Sequence, residues 1–169
     1  MTEQTGTTTS RFQTRYTEVE LFCRKCHAKW SPVVANFINF GTDPKGREGI
    51  LRKTIHHGFC PVCKTHVDID HVFAVYDPDE NLVVQVRLPW EFRAGGGEEM
   101  YWTRLEQFIL DWADEDVRVD VAFGIADLIE KHLGGQAAVD AALERSAQER
   151  EEGLAAGSLV GDAQRSSTA

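Results

Sequence analysis

Four short segments in the first half of the chain alternate between hydrophobic and polar residues or are rich in valine, isoleucine and phenylalanine, and these patterns predict β-strands. The segments are 16–22, 30–40, 65–76 and 82–88. The last two flank Asp77–Asn81, which is rich in residues that favour turns. The pattern therefore predicts a long antiparallel hairpin. Its second strand should end at Pro89, because proline cannot donate to a sheet.

The period changes to about 3.6 residues in the second half of the chain, which predicts helices. One apolar stripe, at spacings of four, three and four, consists of Tyr101, Leu105, Phe108 and Trp112. A second stripe covers residues 125–133. Weaker patterns predict a helix over 47–55, a hinge at Gly95–Gly97, a strand over 117–121 and a peripheral helix over 136–156.

The composition of the 169-residue chain, with 42% hydrophobic and 27% charged residues, is typical of a globular protein. No apolar run approaches the ~18 residues that a membrane-spanning helix needs. The first residues have neither the basic start nor the apolar stretch of a secretory signal. We therefore expect no membrane association and a cytoplasmic location, where thiols stay reduced.

The formal net charge of −9 is unevenly distributed along the chain. Residues 1–70 hold ten Lys/Arg and seven Asp/Glu, whereas residues 71–169 hold eight and twenty. The acidic half would repel a phosphate backbone. Any contact with nucleic acid would therefore come from the first 70 residues.

The four cysteines form two C-x2-C pairs, Cys23/Cys26 and Cys60/Cys63, separated by 33 residues. Two thiolates that flank two residues can bind a metal ion from one tight turn, and two such turns complete a tetrahedron. No cysteine is left over, which favours one closed structural site. We expect one structural Zn²⁺, although iron accepts the same ligands. Two disulfides would require an oxidising compartment, and a redox dithiol would require a cysteine at a helix N-terminus.

Other side chains near the cysteines also carry metal-binding chemistry. His66, Asp68 and Asp70 fall on one face of a predicted strand, where they can bind a second metal or act in acid–base chemistry. A solvated strand face is the simpler interpretation. Four histidines lie close to the cysteines in sequence and are alternative zinc ligands, although four cysteines make them unnecessary: His27, His56, His57 and His66.

The segment Cys60-Pro61-Val62-Cys63, followed by the hairpin HVFAVYDPDENLVVQVRLP, resembles the bacterial CpXC-domain family. The resemblance extends over residues 16–133 and implies two cysteine pairs with an insertion between them. It departs from the family pattern at the first pair, which lacks proline. Neither pair is followed by the glycine that many zinc knuckles have. Because the family has no established biochemical activity, the resemblance informs the fold more than the function.

These observations predict an α+β fold: a zinc-ribbon-like antiparallel β module with a long hairpin, followed by two or three helices packed on or beside the sheet. The predicted organisation is a flexible tail at 1–15, a CpXC-like zinc-binding domain at 16–133 (β module 16–94, helical part 98–133), a peripheral helix at 136–156 and a disordered tail at 157–169.

For function, we expect a non-catalytic protein-interaction or scaffold module with a protein partner, since the thiolate site is closed and no nucleophile–base pair stands out. A nucleic-acid-binding zinc ribbon is the first alternative, because basic residues flank the cysteines: Arg24, Lys25, Lys29 and Lys64. An enzyme that uses the His66/Asp68/Asp70 face is the second.

Overall fold

The computed structural model describes the backbone of residues 10–165 and the side chains of residues 10–155. The first half contains β1 (Arg15–Glu18), β2 (Leu21–Phe22), β3 (Lys29–Trp30), β4 (Val33–Asn39), α1 (Pro44–Leu51), β5 (His57–Phe59), β6 (His66–Asp68) and β7 (Phe73–Asp77). The second half contains β8 (Leu82–Arg87), α2 (Pro89–Ala94), α3 (Glu98–Asp111), β9 (Arg118–Phe123), α4 (Ile125–His132) and α5 (Gly135–Arg165). The predicted tails lie partly outside the described residues, at 1–9 and 166–169.

Five strands form the main sheet, in the order β1-β4-β7-β8-β9. The predicted long hairpin is β7–β8, and β1 also pairs antiparallel with β4. The other two neighbours, β4–β7 and β8–β9, are parallel, unlike the antiparallel module that the sequence predicted. Parallel strands need crossover connections, which the intervening segments with helices provide. The predicted α+β class is confirmed.

Helices cover both faces of the main sheet. Successive side chains of a strand point to opposite faces, so neighbouring residues belong to different cores. Ile38 and Val84 belong to a core that includes residues of α1, α4 and α5. Their chain neighbours Phe37 and Val83 belong to a second core, which Phe108 of α3 completes on the other face. The sheet is thus a central layer between helices.

Three segments that the sequence predicted as single strands are each divided in two. The breaks fall after Glu18, after Trp30 and after Asp68. Pro32 lies in the second break, where it cannot donate to a ladder. Of the divided pieces, β2 and β3 pair with each other and β6 pairs with β5, in two separate two-stranded sheets. These two hairpins carry the cysteine pairs.

The helices differ from the predicted ones mainly at their ends. α1 begins at Pro44, earlier than residue 47, because Asp43 caps it and proline suits the first helical position. α2 was not predicted. α5 continues to Arg165, beyond the predicted end at 156 and into the segment predicted to be disordered. No helix within residues 10–165 is long and apolar enough to cross a membrane.

Candidate metal centre

Each cysteine pair lies in the turn of one small hairpin. Cys23 and Cys26 lie between β2 and β3, and Cys60 and Cys63 lie between β5 and β6. The first cysteine of each pair is fully buried, and the second is half-buried. The fold therefore brings together two turns that are 33 residues apart in the chain.

The two turns have the same backbone hydrogen bonds. In the first turn, the His27 N–H donates to the Cys23 carbonyl at 2.8 Å, and the Cys23 N–H donates to Ala28 at 2.9 Å. In the second, the Lys64 N–H donates to the Cys60 carbonyl at 2.9 Å. This repeated pattern holds each pair of sulfur atoms on one side of its turn.

The residue after each second cysteine has left-handed backbone geometry, with φ of 59° at His27 and 57° at Lys64. Glycine reaches this region without a Cβ penalty, whereas other residues lose roughly 1–2 kcal/mol there. The turns therefore keep the geometry that glycine would favour, even though glycine is absent. The departure from the family pattern at these positions does not prevent the knuckle from forming.

The four sulfur atoms converge on one point. The Cys23 and Cys63 Sγ atoms are 3.6 Å apart, the Cys26 and Cys60 Sγ atoms are 3.5 Å apart, and all four lie within 4.8 Å of one another. Zn–S bonds of about 2.3 Å in a tetrahedron place sulfur atoms about 3.8 Å apart. The cluster therefore has the size and donor set of a four-thiolate metal site.

The acidities of the thiols differ within the cluster. The backbone N–H of Cys63 lowers the pKa of Cys60, and the hydroxyl of Thr65 lowers the pKa of Cys63 to about 6. Near Cys26, the backbone N–H of Ala28 lowers the pKa, but burial and the neighbouring sulfur atoms outweigh it and raise the pKa to about 11. Four thiolates so close together repel one another, and a bound cation removes that repulsion.

His56 connects the second hairpin to the main sheet. Its Nε2 lies 3.1 Å from the Ala35 nitrogen and 3.2 Å from the Ala35 carbonyl oxygen of β4, and its own carbonyl accepts a hydrogen bond from the Ile69 N–H at 2.8 Å. Burial lowers the pKa of His56 to about 4. His56 is therefore a neutral structural residue. It is not part of the sulfur cluster, which consists of the four cysteines.

The structure changes the membership of the predicted histidine–aspartate cluster. His66 and Asp68 lie together as predicted, whereas the third member is His57 of β5 in place of Asp70. Asp70 lies beyond the end of β6. His57 was missed because alternation along one strand does not reveal the residue opposite. The turn at Cys60–Cys63 is the signal that could have found it, since that turn sets the register of the hairpin.

Comparison with known proteins identifies the family. The model of the CpXC protein family matches residues 21–145, so the chain belongs to this family. No curated protein and no solved structure matches the chain. The family match spans both cysteine pairs and most of the main sheet.

Proposed function

We propose that this CpXC family member binds one Zn²⁺ through Cys23, Cys26, Cys60 and Cys63, and that the ion is structural in a non-catalytic protein-interaction module of the cytoplasm. One observation carries the proposal: the four sulfur atoms come from two hairpins that belong to different sheets. An ion bound there would join two elements that no shared sheet joins.

The size of the hairpins supports a structural role. β2–β3 pairs two residues on each strand, and β5–β6 pairs three. An isolated two-stranded hairpin is at best marginally stable in water. Binding of Zn²⁺ to four-ligand sites contributes about 10–16 kcal/mol, far more than such short ladders can. Four protein ligands also leave no open position for a substrate.

Zinc fits the proposed role better than iron. Both metals accept four thiolates in a tetrahedron, but Zn²⁺ has no redox chemistry. A four-thiolate site requires reduced cysteines, which the reducing cytoplasm that we propose for this protein would maintain.

Exposed aromatic and aliphatic side chains on α2 and α3 support an interaction role. Trp90, Trp102 and Leu110 are 56%, 58% and 71% exposed. Large apolar side chains of this kind gain most free energy when a partner covers them. Glu98 and Glu106, also exposed, lie on the same helix as Trp102. We therefore propose a protein partner with an apolar surface and a basic rim.

The basic residues beside the cysteines give less support to nucleic-acid binding. Lys29 forms an ion pair with Glu20 at 2.6 Å, and the Lys64 ammonium donates to the Pro61 carbonyl at 2.8 Å. Two of the four flanking cations are thus engaged within the protein. A protein is therefore the partner that we propose.

Metal removal tests the structural role. Elemental analysis of the purified chain should give one zinc and no iron at the sulfur site. After chelation, amide hydrogen exchange should become fast in residues 21–30 and 57–68, whereas β7, β8 and β9 stay protected. Hairpins that remain protected in the metal-free protein would show that the ion is not structural.

Affinity capture with matched variants tests the interaction role. Leu110→Glu combined with Trp102→Glu should lose a partner that the unmodified chain retains. Leu154→Glu is the control, because Leu154 is also exposed, at 76%, but lies on α5. If no specific protein is captured, or if the α3 variant captures it equally well, the interaction role is wrong.

A further inference from the structure

A second group of metal-ligating side chains lies on the hairpin β5–β6. His57 is paired with Asp68 across the hairpin, and His66 precedes Asp68 by two residues on β6. Directly opposite residues, and residues two apart on one strand, share a face of a sheet. The hairpin therefore presents two imidazoles and one carboxylate on the same side.

Three ligand atoms converge at this place. His57 Nδ1 lies 2.8 Å from His66 Nε2 and 2.9 Å from the Asp68 Oδ1 atom. His66 Nε2 lies 3.6 Å from the same oxygen. Donor atoms bound at about 2.0–2.2 Å to one transition-metal ion are separated by about 3.0–3.5 Å in octahedral or tetrahedral geometry. The observed separations of 2.8–3.6 Å bracket that range.

Hydrogen bonds among the two neutral imidazoles and the carboxylate explain this arrangement less well than a bound metal ion does. If His57 Nδ1 carries a proton, that single N–H has two acceptors, Asp68 and His66, and can serve both only in a bent three-centre hydrogen bond. If His66 Nε2 carries the proton and donates to His57 Nδ1, the His57 atom has no proton for Asp68. In that second tautomer, lone pairs of His57 Nδ1 and of the Asp68 oxygen face each other at 2.9 Å. A cation at the centre satisfies all three atoms.

We propose that His57, His66 and Asp68 bind a second divalent transition-metal ion, separate from the four-cysteine site. Two imidazole nitrogens favour metals such as Zn²⁺ over Mg²⁺ or Ca²⁺, which prefer oxygen ligands. Three protein ligands leave coordination positions open to solvent. All three side chains are exposed, so this ion exchanges with solution, unlike an ion enclosed by four thiolates.

The two sites are linked through one hairpin. Cys60 follows Phe59, the last residue of β5, and Cys63 lies three residues before His66. The turn that contains the cysteines therefore sets the register that brings His57 opposite Asp68. The second ion should bind only after the cysteine site has ordered the hairpin.

Titration of the full chain tests this proposal. Protein that holds one zinc per chain by elemental analysis is titrated with Zn²⁺ by calorimetry, and a second equivalent should bind. Asp68→Asn and His57→Gln should weaken this second step by at least about tenfold while keeping the first zinc. Asp70→Asn is the matched control, because it removes a nearby carboxylate that lies outside the cluster, and it should leave the second step unchanged.

Cobalt provides an independent readout of the ligands. Co²⁺ added to the zinc-loaded chain should give d–d absorption without the thiolate-to-cobalt charge-transfer bands of a cysteine site. The proposal is overturned if the unmodified chain binds a second ion no more tightly than Asp68→Asn, if Asp70→Asn weakens binding equally, or if the second cobalt shows thiolate bands. The retained first zinc shows that each variant is folded at the hairpins.

Discussion

The indole ring of Trp30 lies directly against Gly58. A Cβ atom at residue 58 would be only 2.5 Å from Cη2 of the ring. Trp30 belongs to β3 and Gly58 to β5, so this contact joins the two cysteine hairpins. Side-chain packing thus holds the hairpins together, in addition to whatever a bound metal ion contributes.

Gly58→Ala should therefore separate the hairpins slightly and destabilise the metal site. Forcing a methyl group into a packed contact costs about 1–3 kcal/mol. We expect a lower unfolding temperature and a weaker hold on zinc in competition with a chromophoric chelator. Gly49→Ala is the control, because its Cβ would meet only Thr54 Oγ1, at an ordinary 3.6 Å. Equal zinc affinity in the two variants would contradict this role of Gly58.

Asp43 is predicted to stabilise the start of α1 through two hydrogen bonds. Its Oδ1 accepts from the Gly46 N–H at 3.0 Å, and its Oδ2 accepts from the Tyr16 hydroxyl of β1 at 2.7 Å. Asp43→Ala should cost about 1 kcal/mol or more in urea unfolding, as removal of a helix cap does. Asp43→Asn keeps a capping oxygen and should cost less. A cost for Tyr16→Phe equal to that for Asp43→Ala would show that the cap itself contributes nothing.

The carboxylate of Glu91 should stabilise the folded protein at the junction between β8 and α2. Arg87 donates to both of its carboxylate oxygens, from Nε at 2.9 Å and from Nη2 at 2.6 Å, and Arg104 of α3 contributes a third contact at 3.3 Å. Glu91 is only 8% exposed. Glu91→Gln should cost about 2 kcal/mol at neutral pH, because hydrogen bonds between charged groups are lost. Glu151→Gln, at an exposed position of α5, should leave the unfolding free energy unchanged.

The same carboxylate predicts a dependence of stability on pH. The hydrogen bonds from Arg87 lower the pKa of Glu91 below its ordinary value. The unfolded chain, with a Glu pKa of about 4.3, then binds this proton more readily than the folded chain. The stabilisation is fully present above that pH and is lost as the pH falls through the lower folded pKa. The difference in unfolding free energy between the unmodified chain and Glu91→Gln should therefore shrink below about pH 4. If this difference in unfolding free energy stays constant down to pH 3, the predicted role of the Glu91 carboxylate is wrong.

Local patterns predicted the hairpin β7–β8 and the helices α3 and α4, because turn residues and apolar periodicity lie within a few residues of one another. They did not predict the parallel neighbours β4–β7 and β8–β9, whose pairing depends on crossovers that leave no local signal. The segment 65–76 shows the same limit. Its alternation continues along the chain, but β6 and β7 belong to different sheets.

The candidate site was predictable to a similar extent. Cysteine spacing predicted that Cys23, Cys26, Cys60 and Cys63 come together, because paired thiols in turns have few other uses in a reducing compartment. His66 and Asp68 were predicted to lie together from the alternation along β6. His57 was not predicted, because it lies on the neighbouring strand β5. Pro89 was interpreted as the end of a strand. It is also the first residue of α2, because its fixed φ suits a helix start.

Docking of α5 against the rest of the protein gives a last prediction. Val139 and Ala142 are buried in the core on one face of the sheet, and Arg52 of the segment after α1 forms an ion pair with Glu149 at 3.4 Å. Val139→Ala should cost roughly 2 kcal/mol in urea unfolding, because two methyl groups lose their burial. Leu143→Ala is the control at a half-exposed position of the same helix, and its effect should stay within about 0.5 kcal/mol. Equal effects of the two substitutions would mean that α5 does not dock through this face. Amide hydrogen exchange gives a second check: without docking, the amides of α1 would exchange equally fast in the unmodified chain and in Val139→Ala.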